Sequence, residues 1–252
     1  MIIHKSADEI DRMRRAGRVV AATIERLRSA VRPGATTGQL DRLAEEAIRA
    51  AGAVPSFKGY RGFPGSICTS VNEQVVHGIP GSRVLREGDL LSLDVGAIWD
   101  GYHADSAVSL FVREPPSAEA EKLVRVTEES LEAGISQIRV GGRLSDISHA
   151  VQEVAEGAGF SVVREYVGHG IGRSLHEDPQ IPNFGPPGRG PELRPGLVVA
   201  VEPMVNLGEW ETRVLADQWT VVTADGSLSA HFEHTIALGE HGAEVLTAPV
   251  MN

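Results

Sequence analysis

The segment GLVVAVEPMV (196–205) places one acidic residue inside a run of apolar ones. Seven of its ten residues are apolar, a pattern typical of a strand buried on both faces, yet Glu202 interrupts it. An ionised carboxylate without a partner in such a place is costly, so it must be neutralised, paired with a cation or bound to a metal. The environment of Glu202 therefore bears on both the fold and the function.

A similar segment lies 108 residues earlier in the chain. RPGLVVAVE (194–202) aligns with REGDLLSLD (86–94), which keeps the arginine and the glycine and sets Asp94 opposite Glu202. Both segments therefore carry an acidic residue at the same point of an apolar run.

Further matches indicate that the chain contains an internal duplication. Residues 31–53 align with 138–160 at an offset of 107 residues, and the tripeptide HGI occurs at 77–79 and again at 169–171. A single short match arises easily by chance, whereas ordered matches at nearly equal offsets are typical of a repeated unit. We expect two halves of similar structure, related by an approximate twofold axis.

Each half is predicted to contain two helices followed by a hairpin. Ser6 and Glu9 form an S-x-x-E capping box at the start of the first helix. Apolar residues then recur at steps of three and four, which is the helical period. The predicted helices run from about 10 to 31, from 40 to 51, over about 117–137 and over about 145–157.

The predicted fold belongs to the α+β class, with one curved antiparallel sheet and helices on its outer face. At 252 residues, 42% of them hydrophobic, the chain is long enough to bury a sizeable core. We expect residues 1–252 to form a single catalytic domain whose repeated halves are roughly 6–112 and 117–240.

The composition argues against several classes of protein. A net charge of −10 does not suit broad binding to nucleic acids or anionic membranes, and no apolar run approaches the roughly 18 residues of a membrane helix. Cys68 is the only cysteine, which excludes internal disulfides and multi-cysteine zinc sites. The N-terminal stretch is too acidic and too broken for a signal peptide, so we expect a cytoplasmic protein without specific nucleic-acid or membrane binding.

Two acidic residues are predicted to face each other in the first half. The pair Asp100-Gly101 is a signal for a two-residue hairpin turn. Such a turn sets Asp105 opposite Gly96 and makes it a diagonal neighbour of Asp94 on one face of the ladder. Two like charges then share one site.

The second half is predicted to add two more acids. The pair Asp225-Gly226 indicates another hairpin, which places Glu233 between aromatic and apolar residues inside a strand, as Glu202 is. Four converging carboxylates with few neighbouring Arg or Lys residues repel one another strongly. Divalent metal is the simplest way to balance them.

Histidines in glycine-rich loops complete the predicted site. His77 and His169 belong to the repeated HGI tripeptide, so we expect them to approach a shared cleft from opposite halves, and His176 follows in the second loop. Two aspartates, two glutamates and one histidine offer ligands for two divalent ions, an arrangement that activates a bound water as a nucleophile. The carboxylates are those of Asp94, Asp105, Glu202 and Glu233, and the histidine is one of these three.

Over essentially its whole length, the chain resembles the type I methionine aminopeptidases of the pita-bread fold. The resemblance rests on five motifs, which hold every polar position that this family uses in its site. They are SVNEQVVHGIP (70–80), LSLDVGAIWDGYHADSA (91–107), VGHGIGRSLHEDPQIPNF (167–184), AVEPM (200–204) and SAHFEHT (229–235).

The resemblance implies a dinuclear metallopeptidase that removes the initiator methionine from nascent proteins. Two divalent ions would be bound by Asp94, Asp105, His169, Glu202 and Glu233. The sequence does not distinguish manganese, iron, cobalt and zinc. Glu202 would take a proton from the metal-activated bridging water and return it later. His77 and His176 would contact the substrate, and His176 would also offset the charge of the oxyanion. A monomer that makes a transient contact with the ribosome is expected.

The resemblance also implies an apolar pocket for the methionine side chain. The segment SFKGYRGFPGSIC (56–68) resembles the pocket wall of the family, and aromatic edges with a thiol suit a thioether. The wall residues would be Phe57, Tyr60, Phe63, Cys68 and Trp219. Leu175 stands where many members carry phenylalanine, a change expected to alter the pocket rim.

Two other functions stay open. A prolidase or aminopeptidase P of the same fold would carry nearly the same metal ligands, but such enzymes usually have a large domain before the catalytic unit. Here the first repeat begins within about ten residues of the start. A non-catalytic member of the fold that binds peptides or proteins would have lost ligands, and none is lost.

Overall fold

Four α-helices and fifteen strands are formed by residues 1–249, the part of the chain that the computed structural model describes. The helices are α1 (Ala7–Ala30), α2 (Thr37–Ala50), α3 (Ala118–Ser136) and α4 (Leu144–Gly157), with a short 3-10 helix at Tyr60–Gly62. The strands are β1 (Val54–Pro55), β2 (Ile67–Val71), β3 (Gln74–Val76), β4 (Leu90–Trp99), β5 (Tyr102–Phe111), β6 (Ser161–Val162), β7 (Gly168–Gly170), β8 (Glu177–Ile181), β9 (Val198–Val201), β10 (Met204–Asn206), β11 (Thr212–Val214), β12 (Val221–Thr223), β13 (Ser229–His231), β14 (His234–Gly239) and β15 (Gly242–Val245).

The helix predictions are confirmed to within a few residues, and local chemistry determines where the first two helices begin. Ser6 Oγ accepts the Glu9 N–H, and the Glu9 carboxylate accepts the Ser6 N–H at 2.8 Å. Thr36 and Gln39 form the same reciprocal pair at the start of α2. Each box satisfies backbone N–H groups that have no partner inside the helix. None of the helices in residues 1–249 is long and apolar enough to cross a membrane.

The helices pack on antiparallel strands, as expected for the α+β class. Helix α1 packs on β4 and β5, whereas α3 packs on β9, β10 and β13. All strand pairs in the described residues are antiparallel. They form four hydrogen-bonded sheets instead of one continuous ladder: β1-β4-β2 with β5 on β4, β13-β10-β6, β11-β12-β3 and β15-β14-β9-β7-β8.

Backbone hydrogen bonds recur at the offsets found in the sequence. The Gly34 N–H donates to the Leu85 carbonyl at 2.9 Å, and the Gly141 N–H donates to the Leu193 carbonyl at 2.9 Å. Both glycines have a positive φ, 88° and 82°, which glycine adopts without strain. Equivalent residues of the two halves therefore make equivalent contacts.

The first hairpin has the predicted turn and register. Asp100 and Gly101 join β4 to β5 with φ values of 47° and 78°, the left-handed conformations that a tight two-residue turn needs. Asp105 pairs with Gly96, and Asp94 pairs with Ala107. The two aspartates are therefore diagonal neighbours, as predicted.

The prediction of one strand through GLVVAVEPMV is wrong. Strands β9 and β10 lie in different sheets, and Glu202 and Pro203 separate them. Proline has no N–H to donate to a ladder, so the chain leaves one sheet at this point and enters the next. The Glu202 carboxylate thus lies at a break between strands and not inside one.

The predicted hairpin at Asp225-Gly226 is also wrong. Strand β12 pairs with β11 and β3, whereas β13 pairs with β10. The Asp225 carboxylate accepts the N–H groups of Glu209 and Ser227, each at 2.9 Å, so this turn is bonded to the loop before β11. Glu233 consequently lies between β13 and β14 and not inside a strand.

The two halves are joined beside the acidic residues. Ala107 and Glu233 exchange backbone hydrogen bonds of 3.2 and 2.9 Å. Thr235 Oγ1 accepts the Asp105 N–H at 2.9 Å and donates to the Asp105 carbonyl at 2.8 Å. These bonds hold β5 of the first half against β14 of the second.

Candidate active site

A cavity of about 170 Å³ brings together every residue that the sequence predicts for the site. The polar members of its lining are Asp94, Asp105, Glu202, Glu233, His77, His169 and His176. The remaining predicted members are Phe57, Tyr60, Phe63, Cys68, Leu175 and Trp219. Sequence reasoning missed Arg61, which also lines the cavity and lies between two predicted wall residues. Arg61 could have been predicted from its place inside the segment SFKGYRGFPGSIC, which the sequence assigns to the pocket wall.

Both halves contribute acidic residues to the cavity. Asp94 comes from β4 and Asp105 from β5, while Glu202 follows β9 and Glu233 lies between β13 and β14. His169, on β7, pairs with Ala200 of β9. The neighbouring strands therefore carry the five predicted ligands toward one point.

The carboxyl groups have strongly perturbed titration behaviour. Burial raises the pKa of Asp94 to about 7, although hydrogen bonds from Asp105 and Cys68 lower it in part. Burial, followed by the charges of neighbouring acids, raises the pKa values of Asp105, Glu202 and Glu233 well above their ordinary range. In the absence of bound cations, these groups therefore retain protons far more readily than exposed acids do.

The donor atoms fit a divalent metal. Asp94 Oδ1, Asp105 Oδ1 and Glu233 Oε1 are buried and have no hydrogen-bond partner among the described residues. One ligand atom from each of Asp105, His169 and Glu233 lies within 4.8 Å of the others. Buried oxygens without protein partners, together with a neighbouring imidazole, are suitable ligands for such an ion.

His169 is held in the form that binds metals. Its Nδ1 lies 2.9 Å from the Gly170 carbonyl, which fixes the proton on Nδ1 and leaves the Nε2 lone pair free. Nε2 lies 3.5 Å from Glu202 Oε1. Burial, with the neighbouring His176, lowers the pKa of His169 to about 3, so the ring is neutral. A neutral ring with a free lone pair is a metal ligand.

The other two histidines contact different aromatic residues of the cavity lining. His176 Nδ1 is 2.9 Å from the Tyr60 hydroxyl, and the two rings stack with centroids 5.4 Å apart. His77 has a φ of 59° and meets the ring of Trp219 edge-on, with centroids 6.2 Å apart. Burial lowers the pKa values of both histidines, that of His77 to about 4. Both rings are therefore neutral near pH 7.

An apolar wall faces the acidic residues. Phe63 meets Trp219 edge-on at 5.1 Å between centroids, which joins the wall residues of the two halves. Phe57, Cys68 and Leu175 are buried in the same cluster. Burial raises the pKa of the Cys68 thiol well above its ordinary value, so it stays protonated and acts as an apolar wall atom.

Nearly the whole chain is similar to known proteins. The model of the family described as "Metallopeptidase family M24" matches residues 11–240. A methionine aminopeptidase 1 from Bacillus subtilis is 58% identical over 98% of this chain and 99% of its own. A solved methionine aminopeptidase from Thermotoga maritima is 49% identical, with a TM-score of 0.96 over 98% of this chain and 99% of its own.

A more distant solved structure shares the fold alone. The prolidase from Pyrococcus furiosus superposes with a TM-score of 0.81 over 99% of this chain and 66% of its own, at 18% identity. The arrangement of helices and antiparallel strands is therefore the pita-bread fold that the motifs predict. Fold alone does not separate a methionine-specific from a proline-directed peptidase.

Proposed function

The chain belongs to metallopeptidase family M24, and we propose that it is a metal-dependent methionine aminopeptidase, which removes the N-terminal methionine from nascent proteins. One observation carries this function. Five carboxylate and imidazole side chains of metal-ligand type and an apolar aromatic wall line the same small cavity. The relatives at 49–58% identity that bear this name support the choice of methionine over proline.

We propose that the cavity holds two divalent ions, of manganese, iron, cobalt or zinc. The residues that would hold them are Asp94, Asp105, His169, Glu202 and Glu233. When bound, the ions would supply Lewis acidity, which lowers the pKa of a water molecule and polarises the carbonyl of the peptide bond.

Glu202 is the proposed general base. It adjoins His169, and burial together with the charges of Asp105 and Asp94 raises its pKa in the metal-free protein. Divalent ions beside Glu202 would favour its ionised form, and the carboxylate then takes a proton from the attacking water and passes it to the departing amine.

His176 is the proposed oxyanion donor, and its partner Tyr60 sets the direction of its proton. If the Tyr60 hydroxyl donates to Nδ1, the neutral ring carries its proton on Nε2. Nε2–H then donates to the oxygen of the tetrahedral intermediate. His77, which lines the same cavity, contacts the peptide that follows the methionine.

Selectivity for a chain end follows from the free α-amine. An uncharged amine is a nitrogen donor of the kind that divalent ions bind, and an internal peptide bond does not offer one. The wall formed by Phe57, Phe63, Cys68 and Trp219 receives the thioether side chain. An N-terminal methionine satisfies both requirements together.

Because the cavity takes residues from both halves, we propose that residues 1–252 work as a single catalytic domain. The predicted monomer, cytoplasmic location and transient ribosome contact stay predictions. Size-exclusion chromatography with light scattering tests whether the protein is a monomer. Sedimentation with ribosomes tests the ribosome contact.

Peptide hydrolysis tests the function. The metal-loaded protein is expected to release methionine from Met-Ala-Ser, to leave N-acetyl-Met-Ala-Ser intact and to lose activity when a chelator removes the metal. Turnover of an Ala-Pro peptide without turnover of Met-Ala-Ser would indicate a proline-directed peptidase. If neither peptide is cleaved with any of the four metals, the protein is a binding member of the fold.

A further inference from the structure

We propose that a buried ion pair between Lys5 and Glu177 positions the loop that carries His176. Lys5 Nζ lies 2.7 Å from Glu177 Oε2, and the two side chains are only 3% and 9% exposed. Neither residue lines the cavity, and the proposed reaction uses neither. The inference rests on the proposed function, in which His176 contacts the substrate.

Both partners are fixed by further hydrogen bonds. Lys5 Nζ also donates to the Ile3 carbonyl at 3.0 Å, and the Lys5 N–H donates to the Gly196 carbonyl at 2.7 Å. The other Glu177 oxygen accepts the Ser174 N–H at 3.1 Å. The pair therefore joins the N-terminal segment to the His176 loop and to the segment that leads into β9.

The His176 loop fits tightly around this pair. A Cβ on Gly172 would lie 2.6 Å from Lys5 Cε and 2.7 Å from Glu177 Oε1, closer than carbon contacts allow. The Gly172 carbonyl accepts the His103 N–H at 2.8 Å. The loop is thus held at both ends, Gly172 and Glu177, and His176 directly precedes the second of them.

The effect of a buried charged pair at this place is to fix the position of the His176 loop. A buried pair seldom stabilises a fold more than apolar residues of equal size do, because both charges lose their hydration. It does fix the relative position of the two chain segments that carry it, since the ammonium and the carboxylate must stay in contact. The pair holds His176 against Tyr60, and because Nδ1 contacts the Tyr60 hydroxyl, Nε2 is the nitrogen left to contact a substrate.

The test is a double-mutant cycle with His176. Lys5→Met and Glu177→Gln are each expected to lower kcat on Met-Ala-Ser by about tenfold or more while KM changes little, because misplaced contacts cost most in the transition state. In a His176→Ala background, the same changes are expected to alter kcat by less than about twofold. Equal losses in both backgrounds, or no loss in the wild-type background, would overturn the proposal.

A readout without catalysis separates this proposal from the proposed function. Amides of residues 172–176 are expected to exchange hydrogen faster in Lys5→Met, while those of the β4–β5 hairpin keep the wild-type rate. Unchanged exchange in the loop refutes the positioning role, even if the wild-type protein proves inactive on Met-Ala-Ser. If Lys5→Met fails to fold, Glu177→Gln, which keeps the shape of the side chain, is used for the same comparison.

Arg14 and Glu244 provide the matched control. Their ion pair also joins the N-terminal region to a distant strand, with Nε to Oε1 at 2.6 Å, but it contacts neither the loop nor the cavity. Arg14→Met is expected to leave both kcat and the exchange rate of residues 172–176 unchanged. An equal loss of kcat in this variant would mean that any N-terminal ion pair has the same effect, and would defeat the proposal.

Discussion

Buried oxygens without protein partners distinguish this site from an ordinary polar core. Among the described residues, Asp94, Asp105 and Glu233 each keep one such oxygen. Arg61 is the only Lys or Arg among the residues that line the cavity. Leaving these atoms unpaired costs stability in the metal-free protein, so a bound cation stabilises the fold as well as supplying the chemistry.

A single hydroxyl is expected to contribute to catalysis through His176. Tyr60→Phe removes the hydrogen bond to His176 Nδ1 but keeps the stacked ring. A neutral hydrogen bond is worth about 1 kcal/mol, so kcat on Met-Ala-Ser should fall roughly fivefold with little change in KM. Steady-state kinetics of the variant measure this.

Tyr102→Phe is the control for that substitution. The Tyr102 hydroxyl donates to the Glu9 carboxylate at 2.6 Å, outside the cavity. Its loss should leave kcat unchanged. A Tyr60→Phe variant with the same kcat as Tyr102→Phe would mean that the hydroxyl does not orient His176.

At the level of elements, the β4–β5 hairpin positions Asp94 and Asp105. Its register depends on Asp100 and Gly101, the two turn residues with positive φ. A shift by one residue would turn every side chain of β5 to the opposite face, including Asp105. The turn therefore affects both stability and the site.

Gly101→Val is expected to destabilise the protein. The added side chain meets little resistance, since its Cβ would be 3.9 Å from the nearest atom, but a β-branched residue is strained at φ 78°. We expect the free energy of unfolding to fall by about 1–2 kcal/mol, seen as a lower Tm.

Gly157→Ala provides the opposite case. Gly157 ends α4 and has no positive φ, and no atom of residues 1–249 lies within 4 Å of an added Cβ. Alanine there should leave the Tm unchanged or raise it. If Gly101→Val melted at the same temperature as Gly157→Ala, the turn would not depend on glycine.

The elements also show which parts of the fold the sequence can predict. The turn at Asp100-Gly101 was predictable because both strands pair with each other and local residues set the register. The turn at Asp225-Gly226 was not, because β12 pairs with β3 of the first half, and Asp225 bonds to Glu209 in the loop before β11.

The residues that line the cavity were easier to predict than the strands around them. An acid in an apolar run, such as Glu202, is visible in the sequence because burying it without a partner is costly. Its exact place between β9 and β10 was not visible, since it depends on which sheet each strand joins. The pairing of Lys5 with Glu177 could not be predicted from the sequence, because the two residues are 172 positions apart.

At the level of the whole molecule, the two halves meet where the acids converge. The Ala107 and Glu233 backbone pair and the Asp105 and Thr235 pair join them directly beside the cavity. A change in the charge of the cavity therefore strengthens or weakens the contact between the halves. Both pH and bound metal should for this reason change the free energy of unfolding.

Metal affinity is expected to rise as the pH increases through about 7. Burial raises the pKa of Asp94 from 3.8 to about 7, and this proton must leave before a metal binds. Because the folded pKa lies above the unfolded one, protonated Asp94 stabilises the metal-free fold below pH 4, and this contribution is lost as the pH rises through about 7. Metal then replaces the proton.

Isothermal titration with manganese measures this directly. Affinity should fall by about tenfold for each pH unit below 7 per displaced proton, and proton release should appear as a dependence on the ionisation enthalpy of the buffer. Asp94→Asn should weaken binding and flatten the pH dependence. Wild-type affinity that is constant between about pH 5 and pH 7 would contradict the account.

The most direct test of the central claim is the activity of Glu202→Gln on Met-Ala-Ser at saturating metal, with bound metal measured in the same sample. If Glu202 moves the proton of the attacking water, kcat should fall by about 10²–10⁴ while the variant stays folded. The exposed Glu209, seven positions further along the chain, is the control, and Glu209→Gln should keep wild-type activity. Activity within about twofold of wild type in metal-loaded Glu202→Gln would contradict the proposed reaction.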